Sequence, residues 1–397
     1  MRSLDPATPE PSDLQTARNR GAACVELAAV FLKLGTTAFG GPAAHIAMME
    51  EEIVRRRQWL SHEGFLDLLG ATNLIPGPNS TEMAIHIGYV RAGWAGLVVA
   101  GGCFIVPAAV MVTIIAAAYI RLGALPIGTG LLYGVKPVVI AIVAQALWQL
   151  GRTAMKTPGL ACVAVGATGL TVAGVNELVV LLAAALVVVA ARWSVTRRGS
   201  AAVWGVVPLS SLAPAGATAT AAIPFGLWPL FLTFLKIGAV LFGSGYVLLA
   251  FLRADLVNRL GWLNEAQLLD ATAVGQITPG PVFTTATFIG YILAGPVGAA
   301  IATVGIFLPA FCFVALSGPF LPRLRGSPTA AAVLDGVNVG ALALMAVVTW
   351  QLSQAAIVDG VTVLLALVSS VLVFGTRINS AWLILGGALV GVLRTVG

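Results

Sequence analysis

Thr72-Asn73-Leu74-Ile75-Pro76-Gly77-Pro78-Asn79-Ser80-Thr81-Glu82 interrupts an otherwise apolar run. It returns later as Gly275-Gln276-Ile277-Thr278-Pro279-Gly280-Pro281-Val282-Phe283-Thr284-Thr285. Pro-Gly-Pro cannot continue a helix, because the first proline restricts the residue before it and each proline removes an amide donor. Each copy therefore reads as two half-helices meeting at a break, with the second proline suited to the first turn of the new helix. In lipid the freed backbone groups have no partner, so such a break must line protein or a wet cavity.

The composition sets the solvent. Of 397 residues, 58% are hydrophobic and only 10% charged, with a mean hydropathy of +0.96. Soluble domains carry about 25% charged residues. The chain reads as an all-α polytopic membrane protein partnered by the lipid bilayer. Its net charge of +6 is better explained by basic loops that fix topology than by nucleic acid. Cys24, Cys103, Cys162 and Cys312 are scattered without a C-x-x-C pair, and His45, His62 and His86 form no H-E-x-x-H pattern. No metal site, disulfide framework or cofactor is expected.

Residues 1–20 read as a disordered N-terminal tail and 21–198 as a first repeat. A flexible linker follows at 199–222, and 223–397 form a second repeat. In the first repeat an apolar segment at about 22–41 precedes a short interfacial helix ending at Trp59. The broken segment covers about 62–89, and spans follow near 93–120, 130–150, 158–174 and 176–193. The second repeat copies the first. Phe31-Leu32-Lys33-Leu34-Gly35 returns as Phe234-Leu235-Lys236-Ile237-Gly238, Asp67 as Asp270, and Pro76-Gly77-Pro78 as Pro279-Gly280-Pro281. Beyond one deletion, Ile87-Gly88-Tyr89 returns as Ile289-Gly290-Tyr291 and Trp148-Gln149-Leu150 as Trp350-Gln351-Leu352. If the broken segment is re-entrant, each repeat has about five spans and the second is inverted. That arrangement puts Arg55–Arg57 and most loop arginines on the cytoplasmic side, although Arg18 and Arg20 vote against it.

Paired halves with Phe39-Gly40-Gly41-Pro42-Ala43-Ala44-His45 and Asn73-Leu74-Ile75-Pro76-Gly77-Pro78-Asn79-Ser80-Thr81-Glu82 resemble the chromate ion transporter family, in its long two-half form. The resemblance covers nearly the whole chain except the tail and linker. It implies secondary active efflux of chromate across the bacterial cytoplasmic (inner) membrane, with sulfate as a structural competitor, and hence chromate resistance.

Chromate is a tetrahedral dianion that needs oriented donors and limited positive charge. The half-helices starting near Pro78 and Pro281 offer free amides and positive dipole ends. The expected pocket takes Gly40, Gly41, Pro76, Gly77, Pro78, Asn79, Ser80 and Thr81 from the first repeat. The second contributes Gly243, Thr278, Pro279, Gly280, Pro281, Thr284 and Thr285, and Lys33 and Lys236 supply charge. Glu82 is a proton-coupling candidate, because its counterpart Thr285 cannot titrate, and His86 is another. Plainer roles compete. Lys33 and Lys236 would also suit salt bridges to Asp67 and Asp270 or snorkelling, Glu82 the reciprocal partner of an Asn79 cap, and Pro-Gly-Pro a simple kink. Trp148-Gln149 and Trp350-Gln351 read as interface anchors. The chain carries no Walker motif, so the driving force would be the proton gradient or the membrane potential. The competing functions are a sulfate or other oxyanion transporter, a membrane-embedded lipid enzyme and an anion channel. A homodimer is left open.

Overall fold

The computed structural model describes residues 11–122, 126–197, 224–242, 245–317, 327–376 and 378–396. Among these residues are fourteen α-helices and no strand. The first half runs α1 (Pro11–Thr37), α2 (Gly41–Glu50), α3 (His62–Thr72), α4 (Asn79–Leu122), α5 (Pro126–Ala154), α6 (Pro158–Val172) and α7 (Glu177–Arg197). The second runs α8 (Leu227–Val240), α9 (Leu248–Leu252), α10 (Glu265–Ile277), α11 (Thr285–Ser317), α12 (Pro328–Ala356), α13 (Gly360–Gly375) and α14 (Ser380–Val396). The linker at 199–222 lies outside the described residues, as does Gly243. Helix α1 begins at Pro11, inside the stretch read as a disordered tail.

Two segments behave differently from the expected spans. Helix α1 stops at Thr37, and the chain turns through Gly40 and Gly41 at φ of 105° and 78°, values that glycine adopts without strain. Helix α2, extended by a π-helical turn at Glu51–Arg56, then runs back along α1 and sets Glu52 3.2 Å from Lys33. A helix continuing forward would carry Glu52 roughly 25 Å beyond Lys33. The pair is thus a hairpin, not a crossing followed by an interfacial helix. The second half repeats it: a π-helical turn at Arg253–Arg259 follows α9, and Asp255 lies 2.6 Å from Lys236.

Helix α4 is likewise two arms. Ala92 and Gly93 leave helical geometry, Gly93 with φ of 64°, and Ala294 and Gly295 do the same in α11. Any Cβ on Gly88 would sit 2.2 Å from the Gly96 carbonyl oxygen, and one on Gly290 would sit 2.2 Å from that of Gly298. Eight residues along a straight helix would be about 12 Å apart, so each chain folds back on itself at the glycine. Thr287 and Thr303 close the second hairpin with a 2.7 Å hydroxyl contact. The long arms, 94–122 and 296–317, pack against each other, Phe311 lying against Gly101 and Leu97 clustering with Val314. Residue numbers rising on one arm as they fall on the other make this contact antiparallel.

The halves are interleaved. Gly130 and Gly134 on α5 seat Gly391 and Gly387 on α14, while Gly336 and Gly340 on α12 seat Ala184 and Leu181 on α7. Each half thus packs its first long return helix against the last helix of the other. Gly88→Val, which forces a branched side chain into the Gly96 carbonyl, is expected to cost about 1–3 kcal/mol. Thermal unfolding of the detergent-purified protein should show this as a lower Tm, whereas Gly102→Ala, which meets open space, should leave Tm unchanged.

Candidate functional site

Each Pro-Gly-Pro sits where the sequence puts a break, and each is fastened to the opposite half. The Gly77 amide donates to the Leu241 carbonyl at 2.7 Å, and the Gly280 amide donates to the Ala38 carbonyl at 2.9 Å. Leu241 and Ala38 are equivalent positions at the ends of α8 and α1. Gly77 and Gly280 have φ of 141° and 89°, so a side chain at either is strained. The second proline of each break is an N-cap and not a first-turn residue. The Pro78 carbonyl accepts from Thr81 and Glu82, and the Pro281 carbonyl accepts from Thr284.

A cleft of about 840 Å³ opens against these breaks. One wall is Gly40, Pro42, Asn73, Pro78, Asn79 and Ser80, with Gly245, Val282 and Phe283 from the second half. The facing wall is Gln145, Gln149 and Thr153 of α5, Lys156 just past its end, and Leu334, Asp335 and Asn338 of α12. Its polar lining is mostly neutral amide and hydroxyl. At the mouth, Lys156 donates to Asp335 at 3.0 Å, and Arg192 pairs with the other Asp335 oxygen. Asn79 donates to Asn73 at 2.7 Å, and Ser80 lies 3.3 Å from His45, whose other ring nitrogen contacts the Ala38 carbonyl.

Of the residues expected from sequence, Gly40, Pro78, Asn79 and Ser80 line this cleft. Gly41, Pro76, Gly77, Thr81, Thr278, Pro279, Gly280 and Pro281 lie outside its walls. Thr284 and Thr285 use their hydroxyls on the Pro281 and Val282 carbonyls. Neither lysine faces the cleft. Lys33 pairs with Glu52 and Lys236 with Asp255, correcting the expected partners Asp67 and Asp270. Burial pushes the Glu52 carboxyl up, but hydrogen bonds from Arg57 and Lys33 outweigh it and hold the group below its ordinary range. Asp255 is shared with Arg259 at 2.8 Å. Asp270 instead meets Lys136 at 3.3 Å and Tyr119 at 3.0 Å.

Glu82 is fully buried, and neither carboxyl oxygen has a hydrogen-bond partner, so it is not the reciprocal half of a cap. It lies against Gly77, where a Cβ would come within 2.3 Å of its Oε1. His86 follows one turn later, also buried. The α5 and α12 wall escaped the sequence reading. Its signal was the duplicated Trp-Gln pair: Trp148 is exposed on the outside of the bundle, while Gln149 lines the cleft. Among the described residues no three His, Cys, Asp or Glu side chains gather to hold a metal ion.

Two interleaved sets of broken helices around a polar cleft, with four helices among the described residues long and apolar enough to cross a bilayer, define a duplicated multi-pass membrane protein. The chain belongs to the chromate transporter family, whose model matches residues 25–189 and again 228–392. It is 32% identical to a chromate transport protein of Cupriavidus metallidurans, over 93% of this chain and 92% of that one. It is 30% identical to a probable chromate transport protein of Synechococcus elongatus, over 93% and 95%. An uncharacterized transporter of Bacillus subtilis is 33% identical over 30% of this chain and 68% of its own. These relatives are transport proteins and not enzymes. No solved structure matches.

Asp255, like Glu52, is a buried anion held by more than one cation, and Asp255→Ala is expected to cost about 3–5 kcal/mol, the range for breaking a buried pair. Glu52→Ala, whose partner Lys33 is more exposed, should cost less. Denaturation of both variants by the same method checks the order.

Proposed function

We propose that this protein carries chromate out of the cytoplasm as a secondary active transporter. The observation that carries this reading is the cleft where Pro78, Asn79 and Ser80 of the first break and Val282 and Phe283 after the second face a wall of glutamines, asparagines and hydroxyls, in a chain of this family. Neutral donors, with Lys156 and Arg192 held by Asp335 at the mouth, suit a tetrahedral dianion, which must bind and then leave. Asn79 and Ser80 sit in the first turn of a half-helix, where free amides and the dipole favour an anion. Asn73, Gln145, Gln149, Asn338 and Lys156 complete the set. Lys33 and Lys236 act in this reading as braces for the α1–α2 and α8–α9 hairpins.

The repeats are inserted in opposite orientations. The antiparallel contact of the long arms supports this, as does Tyr119, at the far end of the first arm, touching Asp270 and Phe288 of the second half. Arg91, just before the first hairpin corner, stacks over Trp59, so Arg55–Arg57 lie at that end. Helix α5 returns to the same end at Lys156. The basic loop marks that end as cytoplasmic, and the cleft therefore faces the cytoplasm of a bacterial inner membrane.

Expelling a dianion from a negative interior gains about 4.6 kcal/mol at 100 mV, twice the single-charge figure. Protons add to this through Glu82. A buried, unpartnered charge is costly, and a protonated carboxyl avoids that cost at the very break that faces the substrate.

Radiolabelled chromate uptake into everted vesicles, with and without a proton gradient and with excess sulfate, tests the reading. Gradient-driven accumulation is expected, competed by sulfate. Sulfate flux without chromate flux would assign another oxyanion, and unsaturable flux indifferent to the gradient would indicate a channel. Glu82→Gln should fold and bind chromate yet lose the gradient dependence. Unaltered gradient dependence in that variant would remove Glu82 from coupling.

A further inference from the structure

The repeat has a register, so every residue of the open cleft has a counterpart at the other end of the molecule. Asn73 corresponds to Gln276, Gln149 to Gln351, Asp335 to Tyr133 and Asn338 to Lys136. Gln276 borders a space of about 10 Å³, whereas Asn73 borders the cleft of about 840 Å³. Asn73 and Gln149 are exposed, whereas Gln276 is 6% exposed and the Gln351 Oε1 is buried without a hydrogen-bond partner. Tyr133 and Arg394 both close on Asp359, at 2.6 Å each, across this end. The second set has the composition of a cleft and is shut.

The ion pair at the mouth of the open cleft, Lys156 with Asp335, has no charged counterpart in this set, whose own charge is Lys136. Where the open cleft has the neutral Asn338, the shut end has an ammonium in the middle of an apolar helix, one residue before Pro137. Charges placed inside membrane segments are costly and mark pathways or partners. The partner here comes from the other half of the molecule: Asp270 of α10 pairs with Lys136 at 3.3 Å and accepts from Tyr119 of α4 at 3.0 Å. Asp270 is 3% exposed, and its Oδ1 has no hydrogen bond of normal geometry. Its counterpart Asp67 is exposed.

We propose that Lys136 is the anion-binding cation of the end that is shut here, and that Asp270 is an internal anion which the transported oxyanion displaces when that end opens. This rests on the transporter reading above. It makes the two ends unequal. A cleft whose charges, Lys156 and Arg192 with Asp335, sit at its mouth loads the dianion from the cytoplasm, and one with Lys136 inside receives it opposite, with Asp270 recapturing Lys136 to push the substrate out.

The test uses the full chain in proteoliposomes, with chromate and sulfate as probes in both flux directions. Lys136→Gln is expected to raise KM about tenfold or more, the scale of one lost charge-assisted contact, for entry from the Lys136 end and far less from the Lys156 end. Lys136→Arg should restore most of that loss. Asp270→Asn removes the competitor and should lower the same KM several-fold, an effect a merely structural pair would not give. Lys136→Cys, with the four native cysteines replaced by serine, should regain affinity on modification with aminoethyl methanethiosulfonate from the Lys136 end alone. Equal KM values for wild type and Lys136→Gln in both directions would overturn the assignment while leaving transport standing. If Lys136→Gln fails to fold, an unchanged or raised KM in Asp270→Asn would overturn it instead. Absence of any chromate or sulfate flux in the wild type would overturn both readings.

Discussion

Two backbone hydrogen bonds hold the arrangement together. In each, the middle glycine of a Pro-Gly-Pro donates to the carbonyl that ends the first helix of the other half. An amide and a carbonyl at a helix break need partners when water is absent. Here each break completes the other half's helix end, so neither half satisfies its own backbone. The bond also fixes where α1 and α8 stop, which forces their return hairpins and sets the depth of the breaks. The cleft forms there because four chain reversals meet with little side-chain bulk.

Close backbone approach does the rest. At Gly35 a Cβ would lie 2.7 Å from the Phe104 carbonyl oxygen, and at the equivalent Gly238 it would lie 2.2 Å from that of Ile306. In a membrane, helix association draws on van der Waals contact and short interaxial distances more than on apolar burial, and small residues supply both. The heavy glycine content is thus spent on seams: α1 and α8 on the long arms, the folded hairpins on themselves, and α5 and α12 on α14 and α7. Lys33–Glu52 and Lys236–Asp255 then tie each α1–α2 or α8–α9 hairpin shut.

Much of this was legible in the sequence. The Pro-Gly-Pro breaks, the 203-residue register of Pro76 with Pro279 and the apolar arms followed from chemistry that acts within a few residues. The first arm begins at 94, against an expected 93. What failed required knowledge of a neighbour. Lys33 reads from sequence as pocket charge or, more plainly, as a partner of Asp67, but the turn at Gly40 and Gly41 brings Glu52 to it. Glycine permits such a turn without announcing its direction. The α5 and α12 wall was missed for a related reason. Trp148 and Gln149 point to opposite surroundings from adjacent positions, and neither carries a charge to mark which face is wet. Asp270 pairs with Lys136 across more than a hundred residues, and the repeat itself obscures this, since the equivalent pair would be Asp67 with Asn338.

The exchange of partners between halves also bears on assembly. Helix α5 finds its closest mate in α14, and α12 finds its mate in α7, so the return helices of each repeat are packed by the other. Two such repeats on separate chains would have to meet in the bilayer before either was complete. Carried on one polypeptide, they meet at the effective concentration set by the connecting chain, on the order of millimolar for a short flexible tether. The duplication therefore changes a bimolecular encounter into a unimolecular docking, and the stoichiometry of unlike halves is guaranteed at one to one. That freedom is what lets the second copy drift from the first. Asn338, for example, stands where the first half has Lys136.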